Sequence, residues 1–324
     1  LDITLPSDFD QMRERWVTKP LDYLTSGHVS PNGDRVVLVS RGHVFVAPVG
    51  DGRWVRVSRK DGVRARAARF LGDGKDLLVL NDASGEWEFH RFAADGLSPS
   101  EQLTTGAKVI RFDGVPSPDG KWLAFADKDN QLWLFNVGKK ALNRIGVSDI
   151  GMFGDLAWSP DSRWLAYVQG ASNGFSQIVI LEAETGRKGE VTDDRVDSYN
   201  PAWSPDGKWL YFLSDRWFQS AVESPWGPRQ PEPYFDKTTK IYAAGLGGKD
   251  TFPFAPATEL QAEKKEGGDE KKAEAKPKAG SGKPGQEPEK PAPAPKVLIE
   301  LAGLRDRVFE VPLQASVYSG LAIG

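Results

Sequence analysis

The chain has 324 residues, 39% of them hydrophobic and 10% aromatic, with a formal net charge of −3 and no cysteine. That length can bury a substantial core, while the near-neutral charge excludes a basic footprint for nucleic acid and a polybasic arm for an anionic membrane. Without thiols there is neither a disulfide framework nor a thiolate metal site, which suits a reducing compartment, and no run of about 18 apolar residues offers a membrane-crossing helix.

Residues 1–20 hold one short strand-like stretch, then Pro6-Ser7-Asp8-Phe9-Asp10 and a charged segment through Arg15. The chain opens on Leu1 rather than Met, and these residues read as a connector from a preceding domain. From residue 21 to residue 324 strands dominate. Short apolar runs flanking the turns predict strands at 23–29, 35–40, 43–49 and 54–58. A second group spans about 65–103, a third starts near Arg111, a fourth near Asp155 and a fifth at Tyr199.

One phrase punctuates every group. Ser30-Pro31-Asn32-Gly33, Leu71-Gly72-Asp73-Gly74, Ser117-Pro118-Asp119-Gly120, Ser159-Pro160-Asp161-Ser162 and Ser204-Pro205-Asp206-Gly207 end at intervals of 41, 46, 42 and 45 residues. Proline at the second position presets φ for a type I turn, and glycine closes the turn without a side chain to clash. Four short strands, three turns and a crossover need roughly 40 to 45 residues, the length of a propeller blade. The expected fold is therefore all-β, a β-propeller of four-stranded antiparallel blades; a β-sandwich has no reason to repeat a turn phrase at this interval.

Two insertions interrupt the fifth blade. Residues 215–237 form a long loop, and long loops on a rigid scaffold concentrate contacts with ligands or partners. Residues 261–296 are mostly Lys, Glu, Pro, Ala and Gly without aromatic or β-branched residues, a composition expected to be disordered. Residues 297–301 are then expected to supply the missing outer strand, and 317–323 to begin a sixth inner strand. Five blades and the start of a sixth leave the ring unclosed, with free strand edges and an expectation of poor behaviour in isolation.

Chemistry is sparse. There is no Gly-x-Ser-x-Gly elbow, His-Glu-x-x-His zinc helix, phosphate-cradling loop or dinucleotide fingerprint, so no catalytic residue, metal site or cofactor is expected. His28, His43 and His90 fall on predicted strands without a nucleophile at hand, which suits structural roles. Trp122, Trp164 and Trp209, with Trp158 and Trp203 before their turns, occupy fixed repeat positions that suit blade-to-blade packing better than a stacking platform. Four residues before each turn stand Ser26, Ala67, Asp113, Asp155 and Asn200. Asp113, Asp155 and Asn200 are candidates for the mouth of the central channel, and short side chains capping backbone amides are the structural alternative. In the 215–237 loop Arg216 and Arg229 can form planar forks to carboxylates, while Trp217, Trp226 and Tyr234 offer amphipathic contact area. These five are candidates for an interface or a peptide channel, an inter-domain contact being the simpler reading.

The phrase Ser117-Pro118-Asp119-Gly120-Lys121-Trp122-Leu123-Ala124-Phe125 and its counterpart at 204–212 resemble the WD40-like propeller repeats of TolB and of tricorn-type proteases. Ser7-Asp8-Phe9-Asp10, Arg13-Glu14-Arg15-Trp16 and the string from Ser224-Pro225-Trp226-Gly227 to Tyr234-Phe235, followed by a charged tract, resemble the bacterial tricorn protease homologs over essentially the whole chain. The resemblance implies a multidomain, homo-oligomeric cytoplasmic serine peptidase with two propellers, a PDZ domain and a catalytic domain. Its propellers sieve peptide substrates, and its nucleophile and histidine lie in domains absent here. It also implies that this is the second propeller, with seven blades when intact. The alternative is a TolB-like, non-enzymatic interaction scaffold in the envelope, which would make the location periplasmic.

Overall fold

A computed structural model describes residues 16, 18–220, 235–248, 250–256 and 294–323. The expected connector at 1–15, the 221–234 part of the expected contact loop and the 261–293 part of the tract expected to be disordered lie outside the described residues. The described residues are all-β, with five four-stranded antiparallel sheets and short 3-10 turns at Pro20–Tyr23 and Leu304–Arg307.

The chain divides into two compact units, Leu1–Val147 and Ser148–Gly324. In the first, blade 1 comprises β1 (Leu24–Val29), β2 (Arg35–Ser40), β3 (His43–Pro48) and β4 (Val55–Arg56), and blade 2 comprises β5 (Ala65–Phe70), β6 (Asp76–Asn81), β7 (Glu88–Ala93) and β8 (Glu101–Gln102). Blade 3 is β9 (Val115–Pro116), β10 (Trp122–Ala126), β11 (Gln131–Asn136) and β12 (Ala141–Val147). In the second unit, blade 4 is β13 (Gly154–Trp158), β14 (Trp164–Gly170), β15 (Ser176–Glu182) and β16 (Lys188–Glu190), and blade 5 is β17 (Ser198–Trp203), β18 (Trp209–Ser214), β19 (Lys240–Gly245) and β20 (Val308–Glu310). Each sheet is a meander whose neighbours in sequence are neighbours in space.

The repeated phrase is a hydrogen-bonded box. Ser204 N–H donates to the Trp209 carbonyl and Gly207 N–H to the Ser204 carbonyl. The Ser204 hydroxyl accepts the Trp209 N–H at 2.9 Å and donates to Asp206, whose carboxylate accepts the Lys208 N–H at 3.1 Å. Ser117 with Asp119 and Ser159 with Asp161 repeat this arrangement. In blade 1, where Asn32 stands for the aspartate, Asp34 takes the Ser30 hydroxyl at 2.6 Å. Blade 2 has Leu71 in the serine position, and Asp73 alone accepts the Lys75 and Asp76 N–H groups. Gly207 sits at φ +69°, and Ser162 adopts φ +62° at the same position of blade 4, where glycine is the less strained choice.

Strands buried on both faces explain the near-continuous apolar runs. In blade 2, Leu77 and Val79 join Val37, Val39, Val44 and Val46 of blade 1 in one cluster, whereas Leu78 and Leu80 join Leu123, Phe125 and Phe135 of blade 3 in another. In the second unit Trp164, Ile178 and Ile180 of blade 4 pack with Trp203, Leu210 and Phe212 of blade 5. Each fully buried chain of this kind stabilises the fold by about 1.5–3 kcal/mol. Trp158, Trp164, Trp203 and Trp209 are buried and Trp122 is half-buried, as packing requires.

Three expected strands are corrected. The inner strand of blade 3 is the two-residue β9, because Gly114 lies against Phe89 and Leu123 and Arg111 makes only an isolated bridge to Asp127. Residues 297–301 are not the outer strand of blade 5; β20 is, pairing Val308, Phe309 and Glu310 with Ala244, Ala243 and Tyr242. The apolar run had the right composition, but Val297 sends its N–H to the Asp161 carboxylate at 2.8 Å rather than to a ladder. Residues 317–323 form no strand: Ser316 bridges Thr239, and Val317 beyond it is 78% exposed and pairs with no strand among the described residues.

Candidate functional site

The inner strands carry a backbone irregularity at a fixed repeat position. Register shifts fall between Leu24 and Ser26, Arg66 and Arg69, Gly154 and Ala157, and Tyr199 and Ala202, and Ala67, Asp155 and Asn200 have φ of 51°, 47° and 52°. A bulge with a left-handed residue bends a strand and re-aims its side chains. Asn and Asp tolerate that conformation better than other non-glycine residues, which is the local reason for their choice in blades 4 and 5. Asp155 accepts the Asn200 N–H through Oδ2 at 2.9 Å, joining the bulges of adjacent blades.

In the first unit charged residues lie at or beside this repeat position. Asp113 is exposed and faces the field of Arg66, whose guanidinium stacks 4.5 Å from the Trp87 ring centroid and donates to the Arg111 carbonyl at 2.6 Å. Burial pushes the Arg66 pKa down, and the Asp113 carboxylate opposes that shift. Ser26 Oγ and Arg66 Nε are buried without a hydrogen-bond partner.

A second group lies where the first insertion leaves and rejoins blade 5. Trp217 N–H donates to the Thr238 carbonyl at 3.1 Å, carrying the pairing one step beyond the sheet. Lys240, only 7% exposed, places its ammonium 3.6 Å from the Trp217 ring centroid and 2.5 Å from Glu310. Arg216 stacks over Tyr242 at 5.0 Å and Phe212 at 5.8 Å, and its Nε donates to the Ser214 hydroxyl. Asp215 accepts from Thr239 at 2.6 Å and from the Tyr199 hydroxyl at 3.1 Å. Burial raises the Tyr199 and Tyr242 pKa values, with the Asp215 and Glu310 carboxylates acting in the same direction. A cleft of about 740 Å³ opens here, walled by Trp217, Lys240, Glu310 and Leu313. Its aromatic face and paired charges can hold a polar, extended ligand. Arg216 and Trp217 are thus brought together; Trp226, Arg229 and Tyr234 lie outside the described residues.

The histidines are dispersed. His28 Nδ1 accepts the Phe70 N–H at 3.2 Å, His43 Nδ1 lies 3.3 Å from Arg56, and both ring nitrogens of His90 are buried without a partner. Burial lowers the pKa of all three.

Sequence reading missed one charged group. Glu88, 1% exposed, accepts from the Thr104 hydroxyl at 2.6 Å and the Ala107 N–H at 2.7 Å, and is bound by the Arg111 guanidinium. Arg111 also donates to the Thr105 carbonyl and lies over Phe125. Beside it, buried Asp127 takes the Trp133 indole N–H at 2.7 Å. The signal in the sequence is weak, because Glu88 shares its strand with His90 and Arg91 and does not stand out as a polar residue in an apolar run.

A family model described as the tricorn protease second beta propeller domain matches residues 24–324. A putative Tricorn-like protease C-terminal subunit of Sulfurisphaera tokodaii is 31% identical over 217 residues, 67% of this chain and 24% of that protein. Tricorn protease homolog 1 of Streptomyces coelicolor is 27% identical over 274 residues, covering 80% of this chain and 23% of that protein. The chain therefore spans about a quarter of the length of these relatives. The crystal structure of the tricorn protease superposes over 99% of this chain and 28% of its own, with a TM-score of 0.69 at 17% identity, a likeness of fold.

Proposed function

The chain belongs to the family of tricorn protease second β-propeller domains, and from that membership we propose that it is the non-catalytic propeller portion of a serine-type peptidase that degrades oligopeptides. Its role is to gate and channel peptides toward a catalytic domain outside this chain, in the cytoplasm and as part of a homo-oligomer. The observation that carries the reading is the family match along residues 24–324 of a chain folded as five blades. A ring of blades is rigid and offers a channel of fixed width, so it selects by size and leaves bond cleavage to other residues. Asp155 and Asn200, at the bulges of the second unit, and Asp113, at the equivalent repeat position of the first, are proposed to contact peptide along the channel. Arg216 and Trp217, with Trp226, Arg229 and Tyr234, are the proposed contact surface for peptide or for another domain of the same polypeptide.

The test uses the complete product of the source gene, with a serine-reactive probe and a panel of short quenched peptides, and this 324-residue portion alongside. Labelling and cleavage by the complete protein, with neither by the portion, is the expected result. If the complete protein neither labels nor cleaves, the propeller has no enzyme to gate and an interaction scaffold becomes the better account.

A further inference from the structure

The segment that follows the charged tract is held in a groove across two blades by side chains and not by strand pairing. Val297 is 1% exposed and Leu304 is 1% exposed, both within the core shared by blades 4 and 5, with Ile299 and Leu301 packed against it. The seats are shaped for them. A methyl group on Gly207, in the blade 5 turn, would lie 2.6 Å from Val297 Cγ2, and one on Gly189, in β16, would lie 2.6 Å from Leu301 Cδ2. Both are closer than packed carbon atoms approach, so each glycine leaves room for one particular side chain. Polar contacts fix the register: Val297 N–H to Asp161 Oδ2 at 2.8 Å, Glu300 N–H to the Leu246 carbonyl at 3.0 Å, and the Arg307 guanidinium to the Gly245 carbonyl at 3.0 Å.

We propose that the turns and outer edges of blades 4 and 5 form a docking groove for an extended apolar segment, and that residues 297–304 occupy it as this chain's own peptide ligand. The groove takes a β-branched residue in the Gly207 seat and leucines four and seven positions later, with Asp161 reading the first backbone N–H. Four apolar side chains and two backbone N–H bonds hold the segment in place, and Arg307 just beyond it adds a third bond. The covalent link through 257–293 then serves as a tether, and cutting it leaves the segment and β20 in position. Blade 5 thereby tolerates cleavage in its most lysine-rich stretch.

The test places a site-specific protease sequence flanked by glycine and serine after Gly280 of the full chain, cuts it, and passes the product over a size-exclusion column without denaturant. Co-elution of the C-terminal piece with the remainder is expected. In the cut chain Val297→Asp is expected to release the piece, and the milder Leu301→Ala to raise the released fraction several-fold while the uncut variant keeps its circular dichroism. Release of the unsubstituted piece overturns the proposal. So does retention of both variant pieces, which would assign the hold to β20 pairing.

Discussion

Adjacent blades are joined by different chemistry in the two units. Between blades 2 and 3 a buried ion pair, Glu88 with Arg111, lies beside the apolar cluster of Phe89 and Phe125. Between blades 4 and 5 the described core is a large apolar cluster closed from outside by Val297 and Leu304. A buried ion pair contributes little over a well-packed apolar pair, yet losing one partner is severe because the other charge remains in low dielectric. An apolar junction degrades in proportion to the volume removed. The first junction is therefore expected to fail abruptly and the second gradually.

The largest expected effect is Arg111→Met, which strands the Glu88 carboxylate and should cost about 3–5 kcal/mol in denaturant unfolding, whereas the double change with Glu88→Gln should recover much of that loss. Leu210→Ala, at a fully buried site in the second junction, should cost about 2–5 kcal/mol with no rescue by a neighbouring polar change. Equal rescue in both junctions would erase the contrast. Ser204→Ala removes the hydroxyl that accepts the Trp209 N–H and should cost about 1–2 kcal/mol.

The smallest effect is in pH, and it separates the units. His28, His43 and His90 all lie in the first unit with pKa values lowered by burial. The unfolded chain takes up protons below about pH 6.5 while the folded histidines resist, so the first unit loses stability as pH falls from there. In the second unit the Thr185 hydroxyl, with Arg187 and Arg163, holds the Glu182 pKa down at about 2. Its contribution is present above the ordinary carboxylate value and is lost only as pH falls from about 4.5 through about 2. Hydrogen exchange read segment by segment at pH 7 and pH 5 should show the first unit loosening and the second unchanged; the reverse order would contradict the assignment. His90→Gln should blunt the response of blade 2.

Much of this architecture was legible because the turn phrase is local. Proline, aspartate and glycine at consecutive positions dictate a turn whatever packs around it, and the apolar run beside it set β2 to the residue. What stayed hidden depends on residues far apart in sequence. Val297 reads as a strand residue by composition, but its partner is Asp161 in the previous blade. Glu88 looks like a surface residue until Arg111, Thr104 and the Ala107 N–H are brought round it. At the candidate site, the capping of Asn200 by Asp155 was foreseeable from residue type, while the Lys240–Trp217–Glu310 group needed β19 and β20 to be paired first.

The central claim is that the blades select peptides for cleavage elsewhere, and obstruction of the proposed channel tests it most directly. This chain has no cysteine, so Asp113→Cys introduces a single thiol into it, to be alkylated in the complete protein with a bulky polymer maleimide. The measurement is the rate of peptide cleavage as a function of peptide length, before and after labelling. A sharp loss for long oligopeptides with little change for the shortest is the predicted result. Rates that are unaltered at every length would contradict a gating role for this propeller.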